Sequence, residues 1–216
     1  MRVVMIHALA ESIRPARIAF EEIFPQAEVV NLLDEGLLLD FKDKLTPTLR
    51  RRMSQIICYC AEHGADGIGL ACSVYTPMVE AAQELVDVPV VSSYGPVISD
   101  ALEAGPRVGI IASVPATLRD ADQHLRRAAE ERGLTVEPLL CLAEDLIPVM
   151  RAEGEDGLRR RLCEEVAQLA PKVDVVLLAQ FSLAAVLDDV REVSPVPVLS
   201  PPHSGARRLK ELLANR

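Results

Sequence analysis

The sequence predicts an α/β protein of two pseudosymmetric lobes, each built on a parallel sheet, with a small-molecule cleft between them. Three observations lead there. Short apolar strands alternate with single helical segments along the chain, which implies parallel pairing through right-handed crossovers. The strands are unbroken apolar runs rather than alternating ones, as expected when both faces of a sheet are covered. Finally, residues 66–93 lie over residues 174–201 without a gap, the mark of an internal duplication.

The elements follow in order. Residues 3–6 form the first strand, and a helix is predicted over 11–24 with Ile13, Ile18, Phe20 and Ile23 inward. Residues 27–31 make a short strand, and 34–43 an acidic-apolar loop. Thr46-Pro47 opens the next helix, because threonine caps well and proline suits the first helical position. Gly64 after His63 ends it. Residues 68–71 are a strand, Thr76-Pro77 starts a helix, and 88–91 are a strand. The strand at 108–111 runs into Ser113-Val114-Pro115, again a helix start, and that helix stops at Gly133. A strand at 136–141, helices at 146–152 and 156–169, strands at 175–178 and 196–199 and a closing helix complete the pattern.

The repeat can be weighed. Asp66, Leu70, Ala71, Glu84, Val88, Pro89, Val90 and Ser92 each match the residue 108 positions further on. Composition alone yields roughly one match in 15, or about two over this stretch. Arg2-Val3 likewise fits over Arg107-Val108. The competing explanation is ordinary strand-helix periodicity with a coincidental Val-Pro-Val. Duplication makes Leu70-Ala71-Cys72-Ser73 equivalent to Leu178-Ala179-Gln180-Phe181, with Ser182 just beyond. Ligands of such sheets bind beyond the carboxyl ends of the strands, so Cys72 and Gln180 are expected on opposite sides of one cleft, one copy altered. The first lobe is assigned residues 1–95 plus 200–216, and the second 96–199.

Composition narrows the partners. A net charge of −9 argues against a phosphate backbone as ligand, and the scarcity of aromatics, with no Trp, argues against base stacking. No nucleic acid is expected. The five cysteines, Cys58, Cys60, Cys72, Cys141 and Cys163, are scattered without a CxxC pair, so neither a structural zinc nor a disulfide framework is expected, and a reducing, cytoplasmic compartment is. The apolar run after Arg2 stops at His7, short of the roughly 7–15 residues of a secretory signal's apolar core. The longest apolar stretch, 175–187, falls short of the roughly 20 residues that span a bilayer. No leader and no membrane are expected.

The run from Gly64 through Asp66, Gly67 and Gly69 to Ala71-Cys72-Ser73, then a helix, then Val88-Pro89-Val90-Val91-Ser92, resembles the aspartate/glutamate/hydantoin racemase superfamily. So does Val108-Gly109-Ile110-Ile111-Ala112-Ser113 running into Thr117. The resemblance implies two flavodoxin-like lobes and no cofactor. It also implies a pair of cysteines, one per lobe, that flank the substrate α-carbon, one removing a proton and the other returning it. Relatives that decarboxylate arylmalonates keep one cysteine, and relatives that isomerise maleate use one as nucleophile. A homodimer is compatible with the resemblance. Here Cys72 occupies the first cysteine position, but the second falls at Gln180, which cannot carry a proton.

Cys72 follows a buried strand and precedes a helix, where amides and the helix dipole would favour a thiolate; the competing assignment is a small packed side chain. His7, at the end of the first strand, would replace the missing acid or base, since histidine titrates near neutrality; it competes with a structural histidine. His203 is a second such candidate. Ser73, Ser113 and Thr117 could bind a substrate carboxylate and an enediolate or serve as turn and cap residues. Gln180 and Ser182 would line the same cleft. Tyr75 and Tyr94 follow strand ends and are placed at the pocket. His63, His124 and the runs Arg50-Arg51-Arg52 and Arg159-Arg160-Arg161 are assigned to solvated helix faces, and the other four cysteines to packing. Three functions remain open: a cofactor-independent racemase or isomerase acting alpha to a carboxylate or amide of an amino acid-like or hydantoin-like substrate, a malonate-type decarboxylase using one cysteine, or a non-catalytic protein binding a small anionic or amide ligand.

Overall fold

Glycine placement shows how the helices close on the sheets. A Cβ at Gly67 would sit 3.1 Å from the Leu209 side chain, so the backbone of this strand is bare where the last helix packs. The computed structural model describes residues 1–214. It divides into two compact units, Met1–Pro96 with the chain from Pro202 onward, and Val97–Pro201. Each holds one four-stranded parallel sheet. No helix among the described residues is long and apolar enough to cross a membrane.

The first unit runs β1 (Arg2–His7), α1 (Ile13–Ile23), β2 (Glu28–Leu33), α2 (Gly36–Leu39), α3 (Pro47–Glu62), β3 (Gly67–Leu70), a 3-10 segment Ser73–Met78, α4 (Val79–Gln83), β4 (Val90–Val91) and the start of α5 (Tyr94–Ala104). Its strand order is β2-β1-β3-β4. The second runs β5 (Arg107–Ala112), α6 (Pro115–Glu131), β6 (Glu137–Leu142), α7 (Leu146–Leu169), β7 (Val175–Leu178), a 3-10 segment Phe181–Val186, α8 (Leu187–Glu192) and β8 (Val198–Leu199), in the order β6-β5-β7-β8. α9 (Pro201–Ala214) returns to the first unit. The chain is therefore α/β with two parallel-sheet lobes of one strand order. The closing helix was expected to reach the terminus, but residues 215 and 216 lie outside the described residues.

The repeat extends to hydrogen bonds. Asp66 accepts from the Arg2 amide at 2.7 Å, and Asp174 from the Arg107 amide at 2.9 Å. Ala71 and Ala179 donate to Ile6 and Ile111 at the same 2.9 Å. Both 3-10 segments start one residue beyond Cys72 and Gln180 respectively.

Local chemistry explains most boundaries. Thr46 caps α3 by accepting from the Leu49 amide, with Pro47 in the first turn. Gly154, at φ +70°, breaks α7 into the two helical pieces expected, a conformation that costs glycine little. Four expectations need correction. Thr76-Pro77 does not open a helix: the chain has already turned at Ser73, with Tyr75 N–H bonded to the Cys72 carbonyl. The inward face of α1 is Pro15, Ala16, Ala19 and Phe20, while Ile13, Ile18 and Ile23 are only half-buried. The loop after β2 contains the short helix α2. β2 and β6 each run two or one residues past their expected ends, because edge strands mix exposed and half-buried positions and their ends leave no unbroken apolar run.

Each core is aliphatic. Leu49, Met53, Ile57, Ile68 and Leu70 are buried in the first unit. Leu158, Leu162, Val166, Val176 and Leu178 are buried in the second. Each such side chain contributes roughly 1.5–3 kcal/mol by leaving water.

Candidate functional site

Cys72 lies two residues beyond β3, after the buried Ala71, and has non-helical backbone angles, φ −98° and ψ 120°, directly before the 3-10 turn. It is partly buried and packs against the first unit's core. Burial pushes its thiol up to about 11, and a weaker hydrogen bond from the Val74 backbone pulls the other way. This corrects the expected thiolate: α4 is only five residues long and starts at Val79, so desolvation wins over any helix dipole. The resting group is a thiol. Burial likewise raises Cys60 to about 11, Cys141 to about 12, and Cys163. Cys72 is thus distinguished by its place at a strand end, not by acidity.

His7 closes β1, and β1 pairs with β3. Its ring faces the β2 side. Nδ1 lies 2.6 Å from Ser12 Oγ, and Nε2 lies 2.9 Å from the Asn31 amide at Oδ1. The residue is fully buried, and desolvation lowers its pKa against the opposing Asn31 hydrogen bond. The neutral ring is therefore the resting form. Ser12 also donates its own hydroxyl to the Leu9 carbonyl at 2.7 Å. Asn31 Nδ2 is buried without a hydrogen-bond partner among the described residues. Both ring nitrogens are engaged inside the fold, which argues against the expected proton exchange with Cys72.

In the second unit the structure brings two expected residues together. Gln180 Oε1 accepts from the Ser113 amide at 2.7 Å and from its hydroxyl at 2.9 Å. Ser113 directly follows β5 and is 5% exposed. The N-cap of α6 is Val114, not Ser113, so the serine hydroxyl serves Gln180 instead of the helix. Thr117 is half-buried in the first turn of α6. Ser182 is buried in the 3-10 segment after Gln180, and Ser73 is half-buried in the equivalent segment after Cys72.

Other candidates are spoken for. Tyr75 and Tyr94 are buried in the fold; the Tyr75 hydroxyl donates to the Leu37 carbonyl at 2.7 Å. His203 is buried with Nε2 3.1 Å from Glu22. His63 is exposed as expected and stacks on Tyr59. His124 is half-buried, and burial lowers its pKa. Arg52 does not belong to a solvated face: its guanidinium grips Asp34 at 2.6 and 2.7 Å and reaches Asp40 at 3.1 Å. Arg161 is similarly held by Asp145 and Glu165. Thr76 Oγ1 is buried without a hydrogen-bond partner among the described residues. Sequence reading missed Ser12 and Asn31 and gave Thr76 only a helix-start role. Asn31 faces His7 only through the β1–β2 register, which sets it opposite Met5; Ser12, five residues after a strand-end histidine, was the one local signal. No cluster of three or more His, Cys, Asp or Glu side chains among the described residues is placed to hold a metal ion.

Solved structures share this fold at low identity. An allantoin racemase from Klebsiella pneumoniae matches at 18% identity, covering 100% of this chain and 88% of its own, with a TM-score of 0.74. An aspartate racemase homologue from Pyrococcus horikoshii matches at 17%, covering 99% of both chains, with a TM-score of 0.72. An arylmalonate decarboxylase matches at 18%, covering 99% and 92%, with a TM-score of 0.65. No curated protein sequence matches significantly. The sequence profile described as Asp/Glu/Hydantoin racemase matches residues 40–209, a span that includes Cys72, Ser113 and Gln180, and the chain accordingly belongs to the Asp/Glu/hydantoin racemase family.

Proposed function

We infer that this racemase-family enzyme performs carbon-acid chemistry at the carbon alpha to a carboxylate or amide of a small amino acid-like or hydantoin-like substrate, without a cofactor. Cys72 is the proton-transfer group on one face of that carbon, solvent water supplies the proton on the other face where the centre inverts, and Ser73, Thr117, Gln180 and Ser182 are substrate-binding groups. The observation that carries this reading is the position of Cys72 at the carboxyl end of a buried parallel strand, inside the matched region. A thiol there can act as base when ionised and as acid when not. His7 supports the end of β1 through Ser12 and Asn31 rather than taking the second proton-transfer role.

A second reading is favoured by two observations. The residue equivalent to Cys72 is Gln180, which does not ionise, and Cys72 rests as a thiol. One thiol suffices where a single protonation completes the reaction, as in decarboxylation of a substituted malonate. Proton NMR in D2O with D- and L-amino acids, hydantoins including allantoin, malonates and maleate separates the two. Exchange of an α-proton at constant carbon count identifies racemisation or isomerisation. Release of CO2 with one deuterium incorporated identifies the lyase. Silence of the folded protein across the whole panel contradicts both and leaves ligand binding without turnover.

A further inference from the structure

Gln180 holds the position in the second unit that Cys72 holds in the first, each opening a 3-10 segment. Its Oε1 takes two hydrogen bonds from a single residue, the backbone N–H and the hydroxyl of Ser113. A backbone N–H can only donate, so the atom facing it is the amide oxygen and not the nitrogen. The clamp therefore decides which end of the carboxamide remains available. Oε1 is spent, and Nε2, with its two N–H groups, is left on the side away from Ser113. Because Ser113 is itself buried directly after β5, the amide is oriented before any ligand arrives, which spares the ordering cost of binding.

We propose that Gln180 is a specificity-determining residue, an oriented and uncharged double donor that selects a ligand with a carbonyl or carboxylate oxygen at that point, and that Ser113 positions it without touching the ligand. This rests on the racemase-type reading and narrows its substrate. A site built to donate binds a carboxylate through charge-assisted bonds and discriminates strongly against an analogue lacking the acceptor. A ligand presenting an ammonium or N–H group there meets only donors. Ser113 thereby leaves the set of residues expected to bind the carboxylate directly.

Calorimetric binding is measured in the Cys72→Ala background, so that no ligand is consumed, with glutamate, aspartate, phenylmalonate and allantoin as probes. Gln180→Glu keeps the size and both Ser113 bonds but replaces the free N–H groups with a charged acceptor. At neutral pH it weakens carboxylate binding about tenfold or more, the scale of a hydrogen bond to a charged group, and binding recovers as the pH falls into the carboxyl range. Ser113→Ala, which retains the backbone donor, weakens binding less, and Ser113→Thr restores it. Gln180→Met, uncharged and of similar size, removes the two donors without adding charge and weakens carboxylate binding less than Gln180→Glu and without the pH recovery, should the glutamate variant fold poorly. Carboxylate affinity unchanged by Gln180→Glu and Gln180→Met overturns this proposal alone. Absence of binding by every probe, together with absence of turnover in the unsubstituted protein, overturns the racemase-type reading and this proposal with it.

Discussion

Cys72 and His7 show how burial redirects chemistry that residue type suggests. Both lie at adjacent strand ends, since Ala71 beside Cys72 bonds to Ile6 beside His7. Desolvation moves them in opposite directions, each toward the neutral form: the thiol up to about 11 and the imidazole below its ordinary value. The consequence for Cys72 is measurable. The pH dependence of kcat/KM reports the free enzyme. With a pKa near 11, the thiolate fraction grows about tenfold per pH unit between pH 7 and 10, so a reaction needing Cys72 as base speeds up by that factor. A reaction needing the thiol as acid stays flat over the same range. A rate plateau beginning near pH 7 would contradict the neutral resting thiol. The place of Cys72 was legible in the sequence because a strand run simply ends there; its acidity was not, because acidity depends on what packs around it.

At the scale of elements, what was legible were the pieces with local signals. Unbroken apolar runs marked the central strands and Thr46-Pro47 marked α3, and the gap left between the helices at 146–152 and 156–169 falls at Gly154. The segment between β2 and α3 carries no such signal. It is shaped from outside, by Arg52 on Asp34 and Asp40 and by Tyr75 on the Leu37 carbonyl. At Gly36 a Cβ would lie 2.5 Å from Arg52 Nη2, so a side chain there would displace the guanidinium from its present place. Tyr75 thus ties α2 to the 3-10 segment that follows Cys72. Tyr75→Phe keeps the packing but leaves a buried carbonyl unbonded, a cost of about 1–3 kcal/mol. Chemical denaturation should show that loss with an unchanged m-value, and no loss would mean the hydroxyl bond contributes nothing. The same 3-10 geometry, in place of a long helix, explains why a thiolate was expected and a thiol is found.

The whole molecule is organised by its repeat. Alignment of residues 66–93 with 174–201 extends to strand order, to the paired aspartates Asp66 and Asp174 and to the turn after each central strand. What the repeat could not reveal is how each copy uses its strand end. Gln180 could be read as altered, but its clamp by Ser113 needed β5 and β7 side by side. The two units therefore present unlike chemistry in like places, a thiol in one and an oriented amide in the other, and the central claim is that Cys72 alone among these groups moves the proton. The most direct measurement is kcat/KM for the substrate found in the D2O panel, compared between the unsubstituted enzyme and Cys72→Ala, with thermal unfolding as a check on folding. The account predicts a fall of about 10²–10⁴-fold, the usual contribution of a positioned acid or base, with a similar midpoint of unfolding. Activity of the folded variant within a few-fold of the unsubstituted enzyme would contradict it and move the proton transfer away from Cys72.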